Sequence, residues 1–230
     1  MAKAQPFTVL YEDNHLLVVN KASGVLVQGD ATGDIPLVEL CKDYIKEKYT
    51  KPGAVFLGVV HRLDRPVSGV VVLARTSKSL ERMNALFREK ETTKTYWAIV
   101  GNKPPKSEDT LLHWLLKDEK KNKTTAFRKE TTGALRSELS YKVLASAAGC
   151  WLLQVNPVTG RPHQIRVQLA SIGCVIKGDI KYGDDTPTDN GSIYLHAKRL
   201  SFIHPVKKEQ VLFEAPVPFI GLWNNFPETD

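Results

Sequence analysis

The chain is poor in cysteine. Cys41, Cys150 and Cys174 are three in 230 residues, widely separated, and they offer neither an even disulfide framework nor a paired zinc spacing. They read as reduced thiols of a cytoplasmic protein. Long apolar runs are missing too: the stretch at residues 70–74 has the length of a strand and falls far short of a bilayer span. The residues up to Phe7 lack the positive segment and apolar stretch of a secretory signal, and no basic amphipathic helix suggests a membrane surface. The six histidines show no ligand-like pairing, so no metal is expected. No glycine-rich cradle follows a strand, so no nucleotide cofactor is implied. Without a repeat, a low-complexity tract or a composition shift to mark a linker, the expectation is a single domain over residues 1–230, with its core at about 8–215.

What the chain does have is positive charge. Lys plus Arg number 32 against 25 Asp plus Glu, a formal +7, which favours a polyanionic partner, nucleic acid first. The length is enough to bury a sizeable core without staples.

Local patterns give the elements. Residues 8–11 and 16–20 read as strands joined at Glu12-Asp13-Asn14. Leu37, Leu40, Cys41, Tyr44 and Ile45 recur at helical spacing, and a second helix follows Thr76-Ser77 with a stripe of Leu80, Met83, Leu86 and Phe87. Residues 59–61, 70–74, 95–100, 139–145 and 151–156 read as further strands, with two late ones at 193–195 and 199–202. A third helix is expected to start at Arg161-Pro162 and leave at Gly173, burying Ile165, Leu169 and Ile172. Residues 103–109 read as a polar loop. The charge-dense stretch 117–129 reads as a hairpin, either a solvated edge or an electrostatic contact to phosphate.

Chemistry concentrates at His61-Arg62-Leu63-Asp64-Arg65, one carboxylate among cations between two apolar strands. Neighbouring cations favour a carboxylate in its charged form, and loops on a rigid scaffold carry function. Taken alone, the tetrapeptide from His61 to Asp64 reads equally as a structural ion pair closing a hairpin. A hydrolytic His61 and Asp64 pair is disfavoured, because residues so close in a strand-like turn need not face each other and no Ser or Cys nucleophile motif accompanies them.

A distant segment, Thr159-Gly160-Arg161-Pro162-His163-Gln164-Ile165-Arg166-Val167-Gln168-Leu169, resolves the choice. With it come Lys94-Thr95-Tyr96-Trp97-Ala98-Ile99-Val100, Gly178-Asp179-Ile180-Lys181-Tyr182-Gly183 and Leu195-His196-Ala197-Lys198-Arg199-Leu200. In this order the motifs resemble those of the RluA-type pseudouridine synthases across residues 8–215. The departures are Val67, where Thr is common, and Gln168, where His is common. No small RNA-binding module is expected ahead of residue 8.

The resemblance implies an α+β fold: a long, mixed, mostly antiparallel sheet with peripheral helices and a central catalytic cleft. It implies isomerisation of uridines in structured RNA, a ribosomal or transfer RNA stem-loop. A monomer is expected, because no long exposed apolar stripe is left over. Asp64 would be the nucleophile, whether it attacks C1′, adds to C6 or removes the 2′ proton. Arg166 would keep Asp64 ionised through parallel hydrogen bonds that Lys would not reproduce. Tyr96 would stack on the uracil and accept the C5 proton, although a phenol of pKa ~10 is a poor base at neutral pH. Ile165 would line the pocket. Arg62 would fill the space left by the flipped nucleotide, with His61 and Arg65 supporting the loop or touching phosphate. Arg161 and His163, with Lys177, Lys181 and Lys198, would meet phosphates. The rival implied by the same resemblance is a catalytically inactive RNA-binding protein of this fold.

Overall fold

A computed structural model describes residues 5–226. Its described residues form eleven strands and three α-helices. In chain order these are β1 (Phe7–Glu12), β2 (Leu16–Lys21), α1 (Leu37–Lys48), β3 (Gly58–Val59), β4 (Ser68–Ala74), α2 (Ser77–Arg88), β5 (Thr93–Val100), β6 (Glu108–Asp118), β7 (Lys123–Phe127), β8 (Leu135–Ala147), β9 (Cys150–Pro157), α3 (Gln164–Ser171), β10 (Leu195–Ile203) and β11 (Gln210–Glu214). The chain divides into two compact units, one of residues 1–93 with 197–216, the other of residues 94–196 with 217–230.

In the first unit the strands run β1-β2-β4-β10, with β11 paired to β10 and β3 to β4. The four aliphatics that open β2 and residues 70–74 of β4 are all at most 1 % exposed, so both faces of these strands are covered. That explains the continuous apolar runs in place of alternation. The turn between β1 and β2 is built by Asp13, whose carboxylate accepts the amides of His15 and Leu16 at 2.8 Å each. Helix α2 is capped as its sequence predicts, Thr76 Oγ1 accepting the Ser79 amide at 3.1 Å. It drops Met83 into a core of Leu16, Val18, Val70, Val72, Leu200, Phe202 and Phe213.

In the second unit the order is β5-β9-β8-β6-β7, antiparallel throughout. Trp97 and Ile99 of β5 pack with Cys150, Leu152, Trp223 and Phe226. The expected charge-dense hairpin is present as β6 and β7, paired from Trp114↔Phe127 to Asp118↔Lys123, with β7 at the end of this order. All three cysteines are buried thiols. No helix among the described residues is long and apolar enough to cross a membrane.

Four expectations need correction. Helix α3 starts at Gln164, after Pro162, because His163 takes the left-handed conformation (φ 55°, ψ 19°) and breaks the path. Its burial is not a stripe: every residue from Gln164 to Leu169 is buried, while Ile172 lies beyond the helix and is half-buried. The two late strands are one, β10, because the charged and polar residues that seemed to divide it are themselves buried; Lys198 is 1 % exposed and meets Glu214 at 3.0 Å. Strand β6 begins at Glu108, which shortens the expected loop at 103–109.

Candidate active site

The first unit carries the Asp64 loop between β3 and β4. Leu63 (7 % exposed) and Val67 (2 %) point inward and anchor it, which leaves Asp64 half-buried and Arg62 and Arg65 exposed. The Asp64 carbonyl accepts the Val67 amide at 3.0 Å, tightening the turn. His61 is committed to the scaffold: Nε2 accepts the Val72 amide at 3.0 Å, which assigns the ring proton to Nδ1, and the ring stacks on Phe87 at 4.9 Å. Arg65 donates to the Gly24 carbonyl at 3.0 Å and pairs with Asp34, so it ties this loop to its neighbour.

Beneath the loop lies Lys21, a residue with no exposed surface. Its ammonium donates to the carbonyls of Ala22 (2.9 Å), Val25 (2.8 Å) and Arg65 (3.3 Å). Burial pushes its pKa down to about 7, against the pull of the Asp64 carboxylate, with Arg65 adding to the fall. A buried Lys that closes three carbonyls next to the proposed nucleophile was missed in the sequence; its signal was a Lys two residues after the apolar run of β2. Behind the loop, Gly69 has φ +118°, and a Cβ there would run into the Ala197 backbone. Only glycine permits that approach.

The second unit carries Tyr96, Arg166 and the remaining predicted residues. Tyr96 sits on β5 opposite Val155 of β9, half-buried where the strand passes from exposed to buried positions. Asn156 braces this strand by donating to the Lys94 carbonyl (3.2 Å) and to Thr95 Oγ1 (2.9 Å). Arg161 is exposed and His163 half-buried, while Ile165 is 7 % exposed. The loop before α3 is fixed by Gln164, whose side-chain Oε1 accepts from Thr159 Oγ1 (2.8 Å) and the Arg161 amide (3.0 Å).

Arg166 is 5 % exposed. Asp179 binds it as a fork, Nε to Oδ2 at 2.7 Å and Nη2 to Oδ1 at 2.8 Å, and the Tyr182 ring lies 5.1 Å from the guanidinium carbon. Such a bidentate pair fixes both position and orientation. Asp179 and Tyr182 lie in a segment the sequence singled out, but nothing in the linear order assigns them to Arg166. Gln168, at the position where His is common, donates its amide to the Leu111 carbonyl and lies near His113 Nδ1, both at 3.1 Å, while its Oε1 is buried without a hydrogen-bond partner among the described residues. Lys198 is removed from the phosphate-contacting set by its burial. Lys177 pairs with Asp184 at 2.7 Å, and Lys181 donates to the Asn122 carbonyl at 2.9 Å.

Comparison with known proteins brings names to this arrangement. The family described as RNA pseudouridylate synthase matches residues 15–171. The ribosomal large subunit pseudouridine synthase C of Vibrio cholerae is 33% identical over 221 residues, covering 91% of this chain and 65% of the relative. Its namesake from Escherichia coli K12 is 35% identical over 217 residues, covering 91% and 66%. The chain thus spans about two thirds of the length of these relatives. Among solved structures, human RNA pseudouridylate synthase domain containing 4 superposes with a TM-score of 0.76 at 25% identity, over 92% of this chain and 88% of that one. Human domain containing 1 gives 0.73 at 24% identity over 96% and 88%, a likeness of fold.

Proposed function

The chain belongs to the RNA pseudouridylate synthase family, and we propose that it isomerises particular uridines of structured RNA to pseudouridine, with large-subunit ribosomal RNA as substrate. The observation that carries this reading is the family match over residues 15–171, which includes Asp64, Tyr96 and Arg166. The names of the bacterial relatives favour ribosomal over transfer RNA.

The reaction breaks the N1 to C1′ bond, turns the base, joins C5 to C1′, releases the C5 proton and leaves a proton on N1. Atoms and oxidation state are conserved, so no redox cofactor is called for. In this reading Asp64 is the nucleophile, and its half-buried position suits a group that must meet substrate and yet be held. Arg166 supplies positive charge for the reaction. Tyr96 offers its ring to the uracil. A uridine in folded RNA must leave its stack to be reached, and Arg62, exposed on the loop, fills the gap. The protein acts as a monomer in the cytoplasm.

The test is direct. A large-subunit ribosomal RNA transcript incubated with the protein and digested to nucleosides is expected to yield pseudouridine by mass spectrometry, and a transfer RNA pool is not. RNA binding without any pseudouridine would favour an inactive RNA-binding protein.

A further inference from the structure

The short turn from Asp179 to Tyr182 touches two things at once. On one side Asp179 and the Tyr182 ring hold Arg166, as described. On the other, the same turn grips the tip of the β6 and β7 hairpin. Lys181 donates to the Asn122 carbonyl at 2.9 Å, and the Tyr182 hydroxyl accepts the Thr124 amide at 2.9 Å. That hydroxyl also lies 2.8 Å from His163 Nδ1, the residue that immediately precedes α3. Thr124 is 2 % exposed and closes the circuit by donating its hydroxyl to the Pro162 carbonyl at 3.0 Å. The hairpin therefore reaches the start of Arg166's helix by two routes.

What the hairpin presents outward has an excess of cations over the exposed Asp118, Glu119 and Glu130. Lys120, Lys121, Lys123, Arg128 and Lys129 are exposed, and the Lys123 ammonium lies 5.7 Å from the centre of the Tyr182 ring. Lys117 is neutralised by Glu119 at 2.6 Å, which leaves the tip as the positive feature. Such a surface suits RNA phosphates.

We propose that the turn couples this basic hairpin to Arg166, with the Tyr182 hydroxyl as the positioning group, so that phosphates held at the hairpin set the guanidinium for reaction. The coupling rests on the isomerase reading for its effect on turnover, but not for its physical test. The hydroxyl suits the task because it faces both ways, accepting from the hairpin while reaching His163. Burial, chief among several influences, pushes the phenol pKa up, which keeps the proton on that oxygen.

Tyr182→Phe retains the ring beneath Arg166 and deletes only the hydroxyl. We expect it to lower kcat about fivefold, the worth of one hydrogen bond, with KM within about twofold. Thr124→Val, which cuts only the second route, should give a smaller fall of the same kind. Independently of turnover, a short RNA stem-loop added to ¹⁵N-labelled protein should shift the Lys120 and Lys121 amides in both wild type and Tyr182→Phe. It should shift the Arg166 Nε–H resonance in wild type alone. Equal Arg166 shifts in the two proteins, or unmoved hairpin amides, would overturn the coupling. Should wild type show the differential shift but form no pseudouridine, the isomerase reading would fail while the coupling stood.

Discussion

The loop around Asp64 is fastened by main-chain and apolar contacts: Leu63 and Val67 are buried, Lys21 gathers three carbonyls, and Gly69 lets the Ala197 backbone come close. Arg166 is held by the opposite means, side chain on side chain, with Asp179 forked to its guanidinium and Tyr182 beneath it. The contrast teaches how each group is held. The half-buried carboxylate is carried on a stiff main-chain framework, whereas the buried cation is fixed by side-chain partners of its own. Damage to the first region should thus act through backbone geometry, and damage to the second through charge.

Asp179→Ala breaks the contrast most strongly. It strips two charge-assisted bonds from a guanidinium that is 5 % exposed, and a stability loss of about 3 kcal/mol is expected in urea denaturation. Asp179→Asn, which keeps the shape and one acceptor, should fall between Ala and wild type. Gly69→Ala tests the other region: the added Cβ meets the Ala197 backbone at a φ of +118°, and about 2 kcal/mol should be lost. A loss below about 0.5 kcal/mol would mean that the backbone yields, contrary to the stiff framework proposed for the loop.

Acid acts on both units. In the first, burial alone would raise the Asp13 pKa, but the amides of His15 and Leu16, then Tyr11 and Lys207, hold it down to about 2. The folded state therefore keeps the carboxylate ionised where the unfolded chain takes up a proton. This contribution is complete above the ordinary Asp range near ~4 and is lost as the pH falls toward about 2. In the second unit, burial first and then Arg128 lower the His113 pKa. Its contribution is complete above the ordinary His value of ~6.5 and is lost on acidification below it. Asp13→Asn should flatten the lower limb of the stability curve, and His113→Gln should remove part of the upper one, the rest belonging to buried His204, whose pKa burial lowers in the same direction and which meets Asp13 at 3.2 Å. The smallest effect is expected at the hairpin: Lys120→Gln, Lys121→Gln and Lys123→Gln together should flatten the logarithmic salt dependence of RNA binding by about two. An unchanged slope would leave the hairpin a solvated edge.

These regions also differed in how far they could be read in advance. The Asp64 loop was legible because its parts are contiguous: a charged motif between two apolar runs, each run the length of a strand. The stripes of α1 and α2 and the Thr76 cap of α2 were legible for the same local reason. Around Arg166 the reading failed where long-range packing decides. His163 adopts a left-handed conformation because the chain turns there to enter a buried helix, and no local preference announces that. Lys198 reads as a break in a strand until Glu214, on β11, is seen to neutralise it. Asp179 stands 13 residues from Arg166, a pairing that no helical or strand period predicts.

The central claim, that Asp64 starts the isomerisation, is tested most directly by tritium release from large-subunit ribosomal RNA labelled at uridine C5, with wild type beside Asp64→Asn. We expect release by wild type, a fall of at least about three orders of magnitude in the variant, and RNA affinity within about twofold. Release by Asp64→Asn at a rate near wild type would contradict the assignment.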